Sequence, residues 1–173
     1  MTGSAFIKSL RLLQLILITG YTFVIIISIA LYLIEVIPLL PESQNSMLID
    51  IGILALAFSG VFSSFYLFQV LLVRLNESYS LVRKLSAYKT AYFLRLALIE
   101  GIGVLAVILF MISLSTTALT ISIIVAIVLG LLKPSKKEMV KILRLDIGQQ
   151  AQLSSNQPVI NDLEQEVFRH RLN

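Results

Sequence analysis

The chain contains no cysteine and no tryptophan, and its one histidine, His170, lies in a polar segment near the last residue. Without cysteine there is no disulfide, no thiolate catalysis and no cysteine-ligated metal or iron–sulfur site. A single histidine also excludes a haem held by two histidines of the same chain. We therefore expect no cofactor and no metal. The sequence also offers no paired acidic metal motif and no serine–histidine set that would indicate an enzyme.

Charge is scarce as well, since only 14% of the 173 residues are charged and 57% are hydrophobic. A soluble domain of this length has too little interior to hide that much apolar surface. The apolar residues form four runs, at about 12–34, 51–73, 96–114 and 116–132. The first two would reach about 34 Å as helices, which is enough to cross a bilayer. The sequence therefore predicts an all-α, four-transmembrane-helix bundle within residues 1–133.

The two connections that flank the third span have different characters. Residues 113–117 read S-L-S-T-T, a linker so short that spans 3 and 4 must form a tight helical hairpin, with hydroxyls available to freed backbone groups. On the other side, Leu81, Leu85, Tyr88 and Tyr92 follow one another at about one helical turn. We expect spans 2 and 3 to continue as helices beyond the membrane, with the rings of Tyr79, Tyr88 and Tyr92 near the headgroups.

The basic residues predict the orientation of the spans. The charged residues of the connection between spans 1 and 2 are all acidic, and the connection between spans 3 and 4 has no charged residue. With four crossings, all 14 basic residues fall on one side, and the positive-inside rule makes that side the cytoplasm, with both termini inside. The net charge of +4 thus indicates a lipid bilayer rather than nucleic acid as the partner. The 14 basic residues are Lys8, Arg11, Arg74, Arg83, Lys84, Lys89, Arg95, Lys133, Lys136, Lys137, Lys141, Arg144, Arg169 and Arg171.

Residues 134–173 form the predicted cytoplasmic part. Pro134 ends span 4, and Ser135 followed by Glu138 is a capping-box pattern that begins a short amphipathic helix. Such a helix suits an anionic membrane surface, where its basic residues would contact lipid headgroups. We expect those contacts from Lys136, Lys137, Lys141 and Arg144.

The rest of this part is polar. Residues 148–160 are rich in glutamine and serine, which predicts a flexible segment. Residues 161–172 have the pattern of one or two helical turns, which would order best against a partner or a second copy of the chain.

Polar side chains recur near the cytoplasmic third of every span. Glu100 is the most informative, because ionisable groups inside spans are costly and face protein or water. Together they form a candidate polar layer, in which Glu100 would meet residues of neighbouring helices. The layer fixes helix packing, handles protons, ions or headgroups, or contacts another subunit. Its members are Glu100, Gln14, Gln69, Arg74, Arg95 and Lys133.

Small residues at helical spacing form a second pattern, which allows two helix backbones to approach closely. It favours a compact bundle, and leaves open whether the contacts lie within one chain or between copies. The residues are Ser59, Gly60, Ser63, Ser64, Gly101, Gly103, Ser122, Ala126 and Gly130.

Three motifs carry a resemblance to a known group of proteins. They are K-L-x-x-Y-[KR]-T-A at Lys84–Ala91, A-L-[IL]-E-G at Ala97–Gly101, and P-[ST]-K-[KE] at Pro134–Lys137. The opening K-S-L-R-L-L-Q-L-I-L-I-T-G is also similar. The chain resembles a family of small, uncharacterised four-span inner-membrane proteins of bacteria, chiefly Bacteroidota. The resemblance implies a bacterial inner-membrane location and brings no known activity.

Two functions from different classes fit these observations. The first is a non-enzymatic accessory, scaffold or assembly subunit of a larger membrane complex, with a membrane-protein partner or a second copy of the chain. The alternative is a small oligomeric transporter or channel that uses Glu100 for proton or cation coupling.

Overall fold

The computed structural model describes residues 2–34, 46–73, 75 and 79–154, and this part of the chain contains helices and no strands. The first four helices pack side by side as a bundle, and the last two fold over one end of it. The helices are α1 (Gly3–Leu33), α2 (Ser46–Val73), α3 (Leu81–Ser113), α4 (Thr116–Leu131), α5 (Lys136–Ile142) and α6 (Ile147–Ser154).

Three of these helices, α1, α2 and α3, are long and apolar enough to cross a membrane. They correspond to the first three predicted spans, and this part of the prediction is confirmed. α3 also contains the predicted extension, because it begins at Leu81 and runs for 33 residues. At 1.5 Å per residue its length is about 50 Å, well beyond the roughly 30 Å of a hydrocarbon core.

The fourth apolar run folds differently. α4 has 16 residues, hence a length of about 24 Å, which is less than the hydrocarbon thickness of a typical bilayer. α4 and α5 reach spanning length only when they are taken together, and they are bent by 83° at the break between them. The described part of the chain thus has three helices of spanning length, or up to four if this bent pair is one span. A fourth crossing stays a prediction.

The predicted hairpin between α3 and α4 is confirmed. α3 ends as Leu114 adopts a left-handed conformation with φ of 53°, and Ser115 caps α4 by accepting a hydrogen bond from the amide of Ala118 at 3.1 Å. The Ser115 hydroxyl also donates to the Asp50 carboxylate at 2.5 Å. The beginning of α2 and the α3–α4 hairpin therefore lie at the same end of the bundle.

α3 is the central helix. It packs along α2 on one side and along α4 on the other, and α1 lies against both α3 and α4. In the most apolar part of α3 39% of the residues are buried, against 17% in α1 and in α2. Leu96, Ile99 and Ala106 of α3 have no exposed surface at all. The outer faces of α1 and α2 expose apolar side chains, which is compatible with membrane insertion.

The other end of the bundle is covered by α5 and α6. Ser135 accepts a hydrogen bond from the amide of Glu138 at 3.1 Å, so the predicted helix start is confirmed. Met139 of α5 is fully buried in the core, which means that the apolar side of this helix packs on the bundle. The exposed side of α5 carries the lysines at 136, 137 and 141.

The prediction of a flexible segment from residue 148 is wrong for residues 148–154, which belong to α6. Asp146 accepts a hydrogen bond from the amide of Gln149 at 2.6 Å, and this contact begins the helix. The side chain of Leu153 is then buried in the core, and its backbone lies against Gly3 at the start of α1. The burial of Leu153 and this cap thus help to order a segment that is otherwise polar. Residues 155–173, including the predicted helix at 161–172, lie outside the described residues.

The packing of the helices also determines where the described basic residues lie. α1 begins at the end covered by α6, the first half of α3 lies beside the end of α4, and α5 follows there. The basic residues of these segments are therefore at one end of the bundle, opposite the α3–α4 hairpin. The side of the membrane on which this end lies stays a prediction.

Candidate functional site

The predicted polar layer is divided by the structure into separate surroundings. Five of its six members are described, and Arg74 lies outside the described residues. No hydrogen bond or ion pair joins any two of these five side chains.

Gln14 links α1 to the end of α4. Its side chain is buried, and its amide Nε2 donates to the carbonyl oxygen of Leu129 at 2.6 Å. That carbonyl has lost its helical donor, because the amide of Lys133 bonds to Leu131 instead. The last carbonyls of a helix need partners from elsewhere, and in an apolar surrounding a missing partner is costly. Gln14 therefore acts as a cap for α4 supplied by another helix.

Two tyrosines donate to the same stretch of chain. The Tyr21 hydroxyl of α1 donates to the carbonyl oxygen of Ser122 in α4 at 3.0 Å. The Tyr92 hydroxyl of α3 donates to the carbonyl oxygen of Leu132, just after α4, at 2.6 Å. Tyr21 was missed by sequence reasoning. Its signal was a phenol in the middle of an apolar run, where a buried hydroxyl requires a partner.

Gly103 makes room for the Tyr21 hydroxyl. A Cβ atom at Gly103 would overlap this hydroxyl and a methyl group of Val125. α1, α3 and α4 therefore meet closely at this level, and at Gly103 the close approach lies within one chain.

Arg95 lies between α2 and α3. It is 7% exposed, and its guanidinium carbon lies 3.9 Å from the centre of the Phe65 ring and 4.9 Å from that of Phe68. The Nε atom has no hydrogen-bond partner among the described residues. Two aromatic faces stabilise the cation instead, an interaction that is stronger when water is excluded. Arg95 thus joins α2 to α3.

The rings of Tyr88 and Tyr92 extend this aromatic cluster inside the protein, and their depth near the headgroups stays a prediction. They stack on each other with centres 6.0 Å apart and planes 8° apart, and Phe68 meets Tyr88 edge-on. Tyr88 is 1% exposed and Tyr92 is 2% exposed. The extension of α3 is therefore packed in protein at this end of the bundle.

Lys84 was also missed by sequence reasoning, because its neighbours gave no signal. It is 1% exposed, and its ammonium group donates to the Gln149 side chain at 2.9 Å. The side-chain Nε2 of Gln149 in turn donates to the carbonyl oxygen of Tyr79 at 3.1 Å. This chain of contacts holds α6 against the beginning of α3.

Glu100 has a different surrounding from the other members. It is half-buried in a groove of about 820 Å³ between α2 and α3 that opens outward from the bundle. Within the described part of the chain, its carboxylate has no hydrogen bond and no ion pair. The groove is lined by Leu56, Ser59, Gly60, Ser63, Ala97, Leu98, Glu100, Gly101, Ile102, Val104 and Leu105.

The remaining candidates lie on the surface. Lys133 and Gln69 are exposed, and Gln69 lines a small cavity of about 100 Å³ between the end of α2 and the end of α5. The predicted headgroup residues are exposed as well, and Lys136 donates to the Ser154 hydroxyl at 2.5 Å. Their contact with lipid stays a prediction. These residues are Lys136, Lys137, Lys141 and Arg144.

The described residues contain no group of three or more histidine, cysteine, aspartate or glutamate residues placed to hold a metal ion. Comparison of the chain with models of protein families, with curated proteins and with solved structures finds no match. The resemblance to small four-span bacterial proteins therefore stays a prediction.

Proposed function

We propose that this chain is a non-enzymatic accessory, scaffold or assembly subunit of a larger complex in a bacterial inner membrane. The proposal includes four crossings and both termini in the cytoplasm. One observation carries it: the carboxylate of Glu100 has no partner in the described part of the chain and lies in a groove that faces away from the bundle. A polar group at hydrocarbon depth that faces outward is best satisfied by another protein.

The polar contacts inside the bundle also support a structural role. Gln14, Tyr21 and Tyr92 each give a hydrogen bond to a backbone carbonyl of α4 or of the residue that follows it. Side-chain donors that bond to backbone carbonyls of a neighbouring helix hold the helices together. They do not line a path for a substrate. The interior thus has the character of a fixed platform.

The orientation is supported by the distribution of charge. The described basic residues gather at the end covered by α5 and α6, and the hairpin at the other end carries none. Under the positive-inside rule the basic end is cytoplasmic. The resemblance in sequence supports the bacterial inner membrane.

The same carboxylate favours one alternative function. Acidic residues inside spans serve in ion and proton pathways. In an oligomer, the grooves of several copies would enclose Glu100 between subunits, and the chain would be a small proton- or cation-coupled transporter or channel.

Purification from native membranes in a mild detergent distinguishes the two functions. The subunit proposal expects a complex of defined mass in which this chain and other proteins occur in fixed ratio, measured by native mass spectrometry. A pure homo-oligomer would contradict it. The transporter would be supported if vesicles containing this oligomer carried out transport that is lost in Glu100→Gln and kept in Glu100→Asp.

A further inference from the structure

We propose that the groove between α2 and α3 binds a transmembrane helix of another protein, and that this helix carries a lysine or arginine at the depth of Glu100. The inference rests on the proposed function, and it adds the place of contact and the chemistry of the partner. Its basis is the shape of the groove together with the state of the carboxylate in it.

The shape suits a helix. Ser59 and Ser63 lie one turn apart on α2, Ala97 and Gly101 lie one turn apart on α3, and all four are exposed along the groove. Small side chains on two neighbouring helices let a third backbone approach closely. A Cβ atom at Gly101 would meet nothing within 4 Å, so the space beside this glycine is open.

The charge selects the partner. Glu100 is half-buried and unpaired within the described residues, and it lies five residues, about 7 Å along α3, from Arg95. A carboxylate at this depth is costly unless a cation or hydrogen-bond donors reach it. Lipid chains offer neither, whereas a lysine or arginine on a facing helix offers both.

None of the basic residues that the structure describes is placed to supply that cation from a second copy of the chain. Arg95 is packed on Phe65 and Phe68, and the other described basic residues lie towards the end of the bundle covered by α5 and α6. A symmetric pair of copies joined at the groove would bring one Glu100 close to the other, which is repulsive. A different protein with a basic residue in its span fits the groove better.

The test uses the full chain in vesicles of phosphatidylethanolamine and phosphatidylglycerol. Because the chain has no cysteine, Thr116→Cys, on the exposed side of the hairpin, takes a single dye. The probes are three labelled leucine–alanine transmembrane peptides, identical except for lysine, leucine or glutamate at the depth of Glu100. Energy transfer measured against peptide concentration gives their affinities.

We expect the lysine peptide to bind about three- to tenfold more tightly than the leucine peptide, and the glutamate peptide to bind least. Glu100→Gln should remove the preference for lysine, and Gly101→Leu should block all three peptides. Gly20→Leu is the matched control, because Gly20 is an exposed glycine of α1 and also has open space around it. It should leave every affinity unchanged.

Three outcomes would overturn the inference: equal affinity for the lysine and leucine peptides, undiminished binding in Gly101→Leu, or energy transfer between differently labelled copies of the chain that Gly101→Leu abolishes. The last would make a second copy the occupant. Ser63→Leu fills the groove from α2 and replaces Gly101→Leu if that variant does not fold, as judged by its unfolding midpoint.

Failure here is distinguishable from failure of the proposed function. If a native complex of fixed stoichiometry is purified but the peptides show no preference for lysine, the chain is a subunit that docks elsewhere. If the lysine peptide binds as expected but the native protein is a pure homo-oligomer, the groove binds helices and the subunit proposal is wrong.

Discussion

The two faces of α3 differ more than their composition suggests. Gly101 and Gly103 are two residues apart and therefore point about 200° apart around the helix. At Gly103, towards α1 and α4, an added Cβ atom would overlap the Tyr21 hydroxyl and Val125, whereas at Gly101, in the groove beside α2, it would meet nothing within 4 Å. One face is closed by a side chain that reaches a backbone carbonyl. The other stays open around a carboxylate that has no partner in the described residues.

The largest expected effect comes from adding a large side chain on the closed face of α3, at Gly103. Gly103→Leu forces a side chain into the space of the Tyr21 ring, and such overpacking should lower the free energy of unfolding by about 3 kcal/mol. Gly101→Leu, with open space, should lower it by nothing measurable. Unfolding by sodium dodecyl sulfate in mixed micelles, followed by circular dichroism, measures both variants. Equal losses would remove the distinction between the two faces.

A smaller loss is expected from the cap that α1 gives to α4. Gln14→Leu keeps the bulk and removes the donor to the Leu129 carbonyl, which has no helical partner, so it should cost about 1.5 kcal/mol. Gln69→Leu is the matched control, because Gln69 is exposed and its change should cost less than about 0.5 kcal/mol. The same detergent titration applies, and a Gln14 variant as stable as the control would contradict the capping role.

Removing the Tyr21 hydroxyl should cost less. Ser122 lies inside α4, so its carbonyl keeps its helical hydrogen bond when the phenol is lost. Tyr21→Phe should therefore lower the free energy of unfolding by about 0.6 kcal/mol, the average for side-chain hydrogen bonds inside membrane proteins. Tyr66→Phe, at an exposed ring, provides the baseline in thermal unfolding. A Tyr21→Phe loss above about 2 kcal/mol would mean that the hydroxyl holds more than this one contact.

The smallest expected effect has the opposite sign. Gly101→Ala adds a methyl group in open space and replaces a poor helix former by a good one, so it should stabilise the helix by about 0.5 kcal/mol. Gly103→Ala, measured alongside by thermal unfolding, should destabilise the chain. If Gly101→Ala and Gly103→Ala both destabilise the chain, the groove has no open space beside Gly101.

Much of this fold was predictable because hydropathy is a strong signal for helices in lipid. The three long helices follow from apolar runs, the α3–α4 hairpin from five residues too short for a longer loop, and the start of α5 from Ser135 and Glu138. Each of these features depends on residues that are close together in the sequence. The 24 Å length of α4 follows from the same run of residues at about 1.5 Å each, but its bend against α5 does not.

The candidate site was less predictable, because a helix that is apolar all round does not reveal which side faces its neighbours. The prediction grouped Glu100 with Gln14 by depth alone, whereas depth does not fix direction: Gln14 faces α4 and Glu100 faces the groove. α6 was missed for a related reason. Its order depends on the burial of Leu153 and on the contact between Gln149 and Lys84, 65 residues apart in the chain.

If α4 crosses the membrane, as proposed, its shortness has a consequence for the surrounding lipid. Its outer face presents Ile123, Ile124, Ile127 and Leu131, and the whole helix is about 24 Å long, some 6 Å less than an average hydrocarbon core. Hydrophobic mismatch of this kind is relieved when the bilayer thins locally or when shorter acyl chains gather there. The protein should thus carry an annulus of unequal thickness, thinner beside α4 than beside α1. Such a difference in bilayer thickness would favour some membrane proteins over others as neighbours of this chain, independently of any side-chain contact.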